Sequence, residues 1–420
     1  MNILIISPNA PPKNSPESIQ AGRYLQELDK KHHIILVTTP VESGWITADS
    51  GLHVALSNTD IMILKLTFHK IVARFLASRY FRRLLVPDKD FWIASKGAWL
   101  TKQLHLRPDV IYSRSLPVSA ALLAFELKKK LSLPWIMHLS DPWGDNPYVT
   151  SGSMKRKLTM LEVRCFEAAD AINVTTDGIA EFYRSKYQHL ADKISVFPNV
   201  MPNILSPAPI LKNGKKKLSL IYTGALYGQR RPTTILKALN VLKCLDQRIL
   251  NLLEVKFIGN ITDEIRQEID NCNVPNISIL GKRNYSEVLE IQAGADIMVS
   301  IEPDGDNPIL KTFLPSKMLD YIAGRKPVLA ITPENSESWK LCNRGYGWAI
   351  RPDDHRGLAL LLNGFLNSID GDDWQFLRLK PFPPDEFSAS FCVEKLSKLM
   401  ATLLKPEPPG FGGVGCMIGK

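Results

Sequence analysis

Short apolar runs alternate with longer segments of helical periodicity along most of the chain. Residues 2–7 form an apolar, partly β-branched run that ends before a proline, and apolar side chains recur at helical spacing in residues 16–31. A second apolar run follows at 34–38. Runs of this length bounded by turn residues are typical of buried parallel strands, so this order predicts the β–α–β opening of a doubly wound sheet.

The same alternation continues to residue 197, stops, and then begins again. Residues 198–217 contain four prolines and three consecutive lysines, a composition typical of a linker between domains. Before this linker we predict strands at 109–113, 135–139, 171–175 and 194–197 and helices at 118–131 and 154–168. After it we predict strands at 218–223, 253–258, 277–280, 297–301 and 327–330 and helices at 233–245, 263–271, 286–293, 315–323 and 389–404.

The pattern therefore predicts an α/β protein with two Rossmann-like doubly wound domains that face each other across a cleft. A length of 420 residues suits two domains. In open sheets of this kind ligands bind beyond the carboxyl ends of the strands, so we expect the site in the cleft. The expected divisions are an N-terminal domain at 1–197, a linker at 198–217, a C-terminal domain at 218–385, a C-terminal helix at 386–405 that could return to the N-terminal domain, and a disordered tail at 406–420.

Composition narrows the class of protein. Hydrophobic residues make up 45% and charged residues 22% of the chain, as in a globular protein, and the net charge of +10 suggests an anionic partner. The six cysteines are widely spaced and suit a reducing compartment, and the N-terminus resembles a strand more than a signal peptide. We expect a cytoplasmic protein. No nucleic-acid recognition motif is present, and no GxGxxG follows the first strand.

The first candidate for ligand binding follows the strand at 218–223. Gly224 allows close approach of the backbone, and Arg230 and Arg231 come just before a helix whose first N–H groups favour an anion. Arginine forks bind phosphate oxygens in pairs, so the segment suits a diphosphate. The alternative is an ordinary strand-to-helix turn with solvated arginines.

The second candidate is the start of the helix at 315–323. Lys317 lies in its first turn, where the helix dipole disfavours a cation, and an anion bound there would explain its position. Ser316 shares that turn, and Asp320 lies one turn further on, where a carboxylate can hold ribose hydroxyls. The alternative is a plain amphipathic helix with an exposed Lys–Asp pair.

Two other segments carry candidate chemistry. Where the strand at 135–139 ends, His138 could carry a proton and Asp141 could act as a base or anchor a hydroxyl, although a histidine at a strand end can also be purely structural. Residues 64–86 contain six basic residues and no acidic one, beside an apolar side. This favours a basic helix on an anionic membrane surface, or else a normal helix packed on the sheet.

Several short motifs follow one another in order across both halves. They are Val86-Pro87-Asp88 with Trp92, residues 107–113, residues 133–135 leading to 140–143, Tyr222-Thr223-Gly224, residues 315–321 and residues 324–328. Their order and spacing resemble those of bacterial glycosyltransferases of the GT-B fold and the retaining, family-four type, particularly members that build cell-surface polysaccharide. The resemblance implies transfer of a hexosyl group from a nucleotide-sugar to a saccharide or lipid-linked acceptor.

The resemblance also implies roles for the candidate residues. The UDP- or GDP-linked donor is a substrate, and neither a cofactor nor a metal is expected. The donor would contact Gly224, Arg230, Arg231, Arg283, Ser316, Lys317 and Asp320, with Arg283 in the loop beside the nucleobase. His138 and Asp141 would face the reacting centre from the acceptor side, so the expected catalytic set is His138, Asp141, Arg231 and Lys317.

Two departures from the family pattern leave alternatives open. Thr312 stands where many members carry a glutamate, and Ala225 stands where an arginine is usual. The first alternative is a nucleotide-sugar epimerase of the same fold, which would turn over its donor with no acceptor. The second is a non-catalytic, glycosyltransferase-like binding subunit.

Overall fold

The chain folds into two α/β domains in a computed structural model that describes residues 1–41, 48–52, 54–65, 87–203, 217–305, 307–378 and 384–405. One sheet has seven strands and the other has six, and every strand pairing within them is parallel. The predicted pair of Rossmann-like, doubly wound domains is confirmed.

The N-terminal sheet has the strand order β3-β2-β1-β4-β5-β6-β7. The direction of winding reverses between β1 and β4, which opens a crevice at their carboxyl ends. Its strands are β1 (Asn2–Ile6), β2 (His33–Thr38), β3 (Thr59–Ile63), β4 (Val110–Ser115), β5 (Trp135–Leu139), β6 (Ala171–Val174) and β7 (Ile194–Val196). Its helices are α1 (Pro16–Asp29), α2 (Gly97–Gln103), α3 (Ser119–Leu131), α4 (Gly152–Ala168) and α5 (Asp177–Lys186).

The C-terminal sheet has the order β10-β9-β8-β11-β12-β13, and its winding reverses between β8 and β11. Its strands are β8 (Leu218–Thr223), β9 (Leu253–Ile258), β10 (Ile277–Gly281), β11 (Ile297–Ile301), β12 (Val328–Ile331) and β13 (Gly347–Ile350). Its helices are α6 (Thr233–Leu245), α7 (Asp263–Asn271), α8 (Tyr285–Ala293), α9 (Ser316–Ala323), α10 (Glu337–Leu341) and α11 (His355–Asp370).

The last helix, α12 (Ala389–Leu403), packs on the N-terminal domain. Cys392 and Leu396 are buried in one apolar cluster with Tyr24 and Leu28 of α1. Lys395 Nζ donates a hydrogen bond of 2.8 Å to the carbonyl oxygen of Val196. The chain therefore crosses back to its first domain after completing the second.

Capping residues fix where the helices that border the cleft begin. Ser15 Oγ accepts a hydrogen bond from the backbone N–H of Ser18, and Pro16 follows the cap. Asn284 and Glu287 form a reciprocal capping box at the start of α8. These caps end the loops that follow β1 and β10.

Three sequence predictions fall wholly or partly outside the described residues. These are the basic segment 64–86 from residue 66 onward, the linker between residues 204 and 216, and the tail from residue 406. In the part of the chain that the structure describes, no helix combines the length and the apolar character needed to cross a bilayer.

Hydrogen bonds between the domains show that the carboxyl edges of the two sheets face each other. Thr176, which follows β6, donates from Oγ1 to the carbonyl oxygen of Thr312, beyond β11, at 2.6 Å. The backbone N–H of Tyr285, after β10, donates to Asp49 Oδ2 at 2.9 Å. The loops that carry candidate residues therefore border one cleft.

Candidate functional site

The loop after β8 reaches the cleft through two glycines that no other residue could easily replace. Gly224 has φ +132°, and its N–H donates 2.8 Å to the carbonyl oxygen of Ile258. Gly259, the residue after β9, has φ +135°, and a Cβ there would lie 2.0 Å from the carbonyl oxygen of Gly224. The ends of β8 and β9 are therefore packed backbone to backbone, which leaves Gly224 exposed toward the cleft.

Lys317 projects from the first turn of α9 toward this loop. Its Nζ lies 3.9 Å from the centroid of the Tyr222 ring and 3.5 Å from the carbonyl oxygen of Thr223. Burial and the nearby Arg230 guanidinium hold the pKa of Lys317 well below its usual range, and Glu302 opposes them. Lys317 forms no salt bridge within the described residues, and an anion bound beside it would raise its pKa and favour the charged ammonium.

Arg230 is the second cation beside this loop. Its guanidinium carbon lies 5.6 Å from the centroid of the Tyr227 ring, and its buried Nε has no hydrogen-bond partner in the part of the chain that the structure describes. Burial disfavours its charge, but Tyr222, Tyr227, Tyr148 and Glu302 together raise the pKa of Arg230 above its usual value. Two basic side chains without a salt bridge in the described part of the chain, beside a glycine loop and a helix N-terminus, suit a phosphorylated group.

Arg231 points away from this site, in contrast to the sequence prediction. Its Nη1 pairs with Glu264 at 2.6 Å and its Nη2 with Glu268 at 2.8 Å, both on α7. Adjacent side chains in the turn point in different directions. Arg230 therefore lies near Lys317, where we expected Arg231. Arg231 instead ties the start of α6 to α7.

Glu302 is a buried member of this site that the sequence analysis missed. It directly follows β11, and its Oε2 accepts a hydrogen bond of 2.8 Å from Thr332 Oγ1. Burial raises its pKa, while Lys317 and Arg230 act in the opposite direction. The available signal was its place at the end of a buried strand, the same signal that selected Asp141.

The other residues predicted to contact the nucleotide-sugar differ in their burial. Asp320, on α9, is paired with Arg23 of the N-terminal domain at 2.6 Å. Ser316 begins α9 next to Lys317 and is half-buried. Arg283 is exposed in the loop after β10, where its Nη1 donates to the carbonyl oxygen of Lys282 at 3.2 Å. The structure thus groups Ser316, Lys317 and Asp320 and leaves Arg283 outside the group.

Asp141 stands on the opposite side of the cleft, two residues beyond the end of β5. Burial and the neighbouring Glu17 carboxylate raise its pKa to about 6. Glu17 is itself held by Arg114 Nε at 2.8 Å and by the hydroxyl of Ser140. A half-buried carboxylate poised near neutrality suits a general base or a hydroxyl anchor.

A cavity of about 290 Å³ in the N-terminal domain is lined by Pro142 and Trp143, the two residues that follow Asp141. Its walls come from the loops that follow β1, β4 and β5, from residues 87–90 and from Leu158 of α4. They include Asn9, Leu116, Pro117, Pro142, Trp143 and Val149. Its position at the carboxyl edge of the sheet makes it a candidate for the acceptor.

His138 lies inside the N-terminal domain and not in the cleft, so the predicted catalytic position does not match the structure. Its side chain is fully buried, with ring centroids 6.3 Å from Tyr24 and 6.1 Å from Tyr112. Among the described residues, neither ring nitrogen has a hydrogen-bond partner. Burial and the charge of Arg114 hold its pKa well below the usual value of 6.5.

We expect this neutral histidine to make the fold sensitive to acid. As the pH falls below 6.5 the unfolded chain binds a proton that folded His138 refuses, so stability is lost as the pH falls. Between pH 7.5 and 5.5 the wild type should lose about 1.4 kcal/mol more unfolding free energy than His138→Leu. Urea unfolding of both proteins at both pH values measures this, and equal losses would contradict the assignment.

Comparison with known proteins agrees with this architecture. Residues 20–200 match the family model of the glycosyl transferase 4-like domain. Anabaena HepE, solved with UDP and glucose, is similar at 12% identity and TM-score 0.64, over 96% of this chain and 99% of that chain. Sucrose-phosphate synthase from Thermosynechococcus elongatus is similar at 13% identity and TM-score 0.62, over 96% and 98%.

An enzyme assigned as a UDP-N-acetylglucosamine 2-epimerase, from Listeria monocytogenes, has 11% identity and TM-score 0.56, over 98% of this chain and 99% of that chain. No curated protein matches the chain in sequence. At these identities the solved structures establish a shared fold, and the family match covers most of the N-terminal domain.

Proposed function

We propose that this chain is a GT-B glycosyltransferase that transfers a hexosyl group with retention, on the strength of its fold and of the match of residues 20–200 to the glycosyl transferase 4-like domain. The donor is a nucleoside-diphosphate sugar held by the C-terminal domain. The acceptor is a saccharide or lipid-linked saccharide held by the N-terminal domain, in cell-surface polysaccharide biosynthesis. The observation that carries the proposal is the pair Arg230 and Lys317, two cations without a salt bridge in the described chain, beside Gly224.

The chemistry needs positive charge at this position. When the bond from sugar C1 to the β-phosphate oxygen breaks, its electron pair stays on the diphosphate, so negative charge grows there. Arg230, Lys317 and the first N–H groups of α9 meet that charge. Groups fixed in advance in this way stabilise the transition state without reorganising during the reaction.

The acceptor side completes the transfer. An acceptor hydroxyl anchored by Asp141 bonds to C1, and with retention it approaches from the face that the diphosphate leaves. Its proton passes to Asp141 or to a departing phosphate oxygen. The cavity lined by Asn9 and Trp143 holds the rest of the acceptor beside this carboxylate. Because HepE was solved with UDP and glucose, a UDP-hexose is the first donor to test.

A single experiment tests the proposal without a known acceptor. Water replaces a missing acceptor slowly, so incubation with UDP-glucose should release UDP and glucose. Proton NMR read before the sugar mutarotates should show α-glucose first, because retention keeps the configuration of the α-linked donor. The same assay with GDP-mannose covers the guanosine class.

Each other outcome contradicts part of the proposal. β-Glucose as the first product would overturn retention. An isomerised nucleotide-sugar, with no free sugar, would indicate the epimerase. If calorimetry detects neither UDP nor GDP binding, the chain is a non-catalytic subunit and the proposal fails.

A further inference from the structure

Helix α1 carries a row of buried polar side chains on the face that meets the rest of the molecule. Glu17, Gln20 and Arg23 follow one another at intervals of three residues, so they share one side of the helix. Gln20 is 2% and Arg23 is 7% exposed. Buried polar groups are costly unless they are paired, so such a row calls for specific partners.

Gln20 and Arg23 both form hydrogen bonds to Val200, in the linker between the domains. The N–H of Val200 donates to Gln20 Oε1 at 2.7 Å, and its carbonyl oxygen accepts from Gln20 Nε2 at 3.2 Å. The same carbonyl oxygen accepts from Arg23 Nη1 at 2.6 Å. The start of the linker is therefore held to α1 by three hydrogen bonds.

The other side of the Arg23 guanidinium reaches the C-terminal domain. Nη2 donates to Asp320 Oδ1 at 2.6 Å and to the Tyr285 hydroxyl at 3.0 Å. The side chains of this ion pair are only 8% and 12% exposed. One guanidinium thus joins α1, the linker, α8 and α9.

The pairing leaves one oxygen of Asp320 available. Within the described chain Oδ2 accepts no hydrogen bond, and it is not among the buried unpaired atoms. Asp320 lies three residues after Lys317 on α9, so their Cβ atoms are about 5–6 Å apart on one helix face. That spacing suits a ribose hydroxyl at Asp320 when the diphosphate lies at Lys317.

We propose that Arg23, a residue of the acceptor domain, is a positioning residue of the donor site: it fixes the Asp320 carboxylate for the ribose and so couples nucleotide binding to the contact between the two domains. The inference rests on the proposed function, because it requires a nucleoside-diphosphate donor. Without Arg23 the carboxylate is left without its charge partner and free to rotate.

The test compares the binding of UDP and of 2′,3′-dideoxy-UDP by calorimetry. The wild type should bind UDP more tightly by about tenfold, since a lost charged hydrogen bond is worth that much. In Arg23→Met we expect UDP to bind about tenfold more weakly, and the preference for UDP over the dideoxy analogue to fall toward one. Arg23→Lys, which can keep the ion pair, should retain part of the preference.

Two further variants separate positioning from general loosening of the interface. Thr176→Val removes the hydrogen bond of 2.6 Å to Thr312 but does not touch Asp320, so it should keep both the affinity and the preference. Arg23→Met combined with Asp320→Asn should bind UDP no more weakly than the weaker single variant, because both changes remove the same interaction. Circular dichroism checks that each variant folds.

The possible outcomes show whether the inference about Arg23 fails alone or together with the proposed function. If the wild type prefers UDP and Arg23→Met keeps that preference, the inference about Arg23 fails and the proposed function stands. If Thr176→Val loses the preference equally, Arg23 acts only through the interface and the inference also fails. If the wild type binds no nucleoside diphosphate, the proposed function fails and this inference fails with it.

Discussion

Replacing Lys317 by Met is expected to lower kcat/KM for the nucleotide-sugar by about 10²- to 10³-fold, the usual cost of losing one group that meets transition-state charge. Arg230→Met should cost a similar factor. Both side chains converge on the loop after β8, where neither has a carboxylate partner in a described salt bridge. Because each acts on the same diphosphate, the double variant should lose less than the product of the two factors.

The matched control for this pair is Arg231→Ala. Arg231 is the same residue type in the same loop, but it is bound to Glu264 and Glu268 and away from the cleft. The initial rate of UDP release should therefore stay within about twofold of the wild-type rate, because an exposed salt bridge contributes little to stability. A loss for Arg231→Ala as large as for Arg230→Met would show that the wrong arginine has been assigned.

The second large effect is expected at Asp141. Asp141→Asn should lower kcat by about 10²-fold, within the range for a positioned acid–base group. The carboxylate form is the active one, so wild-type activity should fall as the pH drops below about 6, the raised pKa of this group. In the variant this acidic limb should disappear, because an amide does not titrate.

Asp145→Asn provides the control in the same loop. Asp145 pairs with Lys186 at 2.5 Å, and Lys186 keeps a second partner in Glu162 at 3.0 Å. Rates and pH profile should therefore match the wild type. An unchanged acidic limb in Asp141→Asn would assign the titration to another group and contradict the role of Asp141.

Most of the fold follows from local pattern. Strands buried on both faces are short apolar runs between turn residues, which is why β8 (Leu218–Thr223) and β9 (Leu253–Ile258) coincide with the predicted bounds. The edge strand β3 (Thr59–Ile63) was missed, since its outer residues Ile61 and Ile63 are about half exposed and its pattern is mixed. The four-residue strand β13 (Gly347–Ile350) was too short to stand out.

The position of His138 follows from the alternation of side chains along β5. Side chains alternate between the two faces of a strand, and Trp135, Met137 and Leu139 lie in one core cluster while Ile136 lies in the other. His138 therefore points to the face covered by α1. Asp141, two residues beyond the end of this strand, reaches the cleft.

Other features of the site have no local signal. Arg230 and Arg231 are neighbouring residues of the same type, so the sequence does not distinguish them. The conformation of the turn, with Gly228 at φ +56°, determines that their side chains point in different directions. Arg23 and Asp320 are 297 positions apart. Their pairing depends on how the two domains meet, which periodicity and spacing do not encode.

The most direct measurement is a crystal structure of the protein with UDP and, separately, with GDP. The account predicts that the diphosphate of one of them lies between the Arg230 guanidinium and Lys317 Nζ, with its oxygens within hydrogen-bond distance of both and facing the first turn of α9. A nucleotide whose diphosphate lies elsewhere, or contacts neither cation, would contradict it.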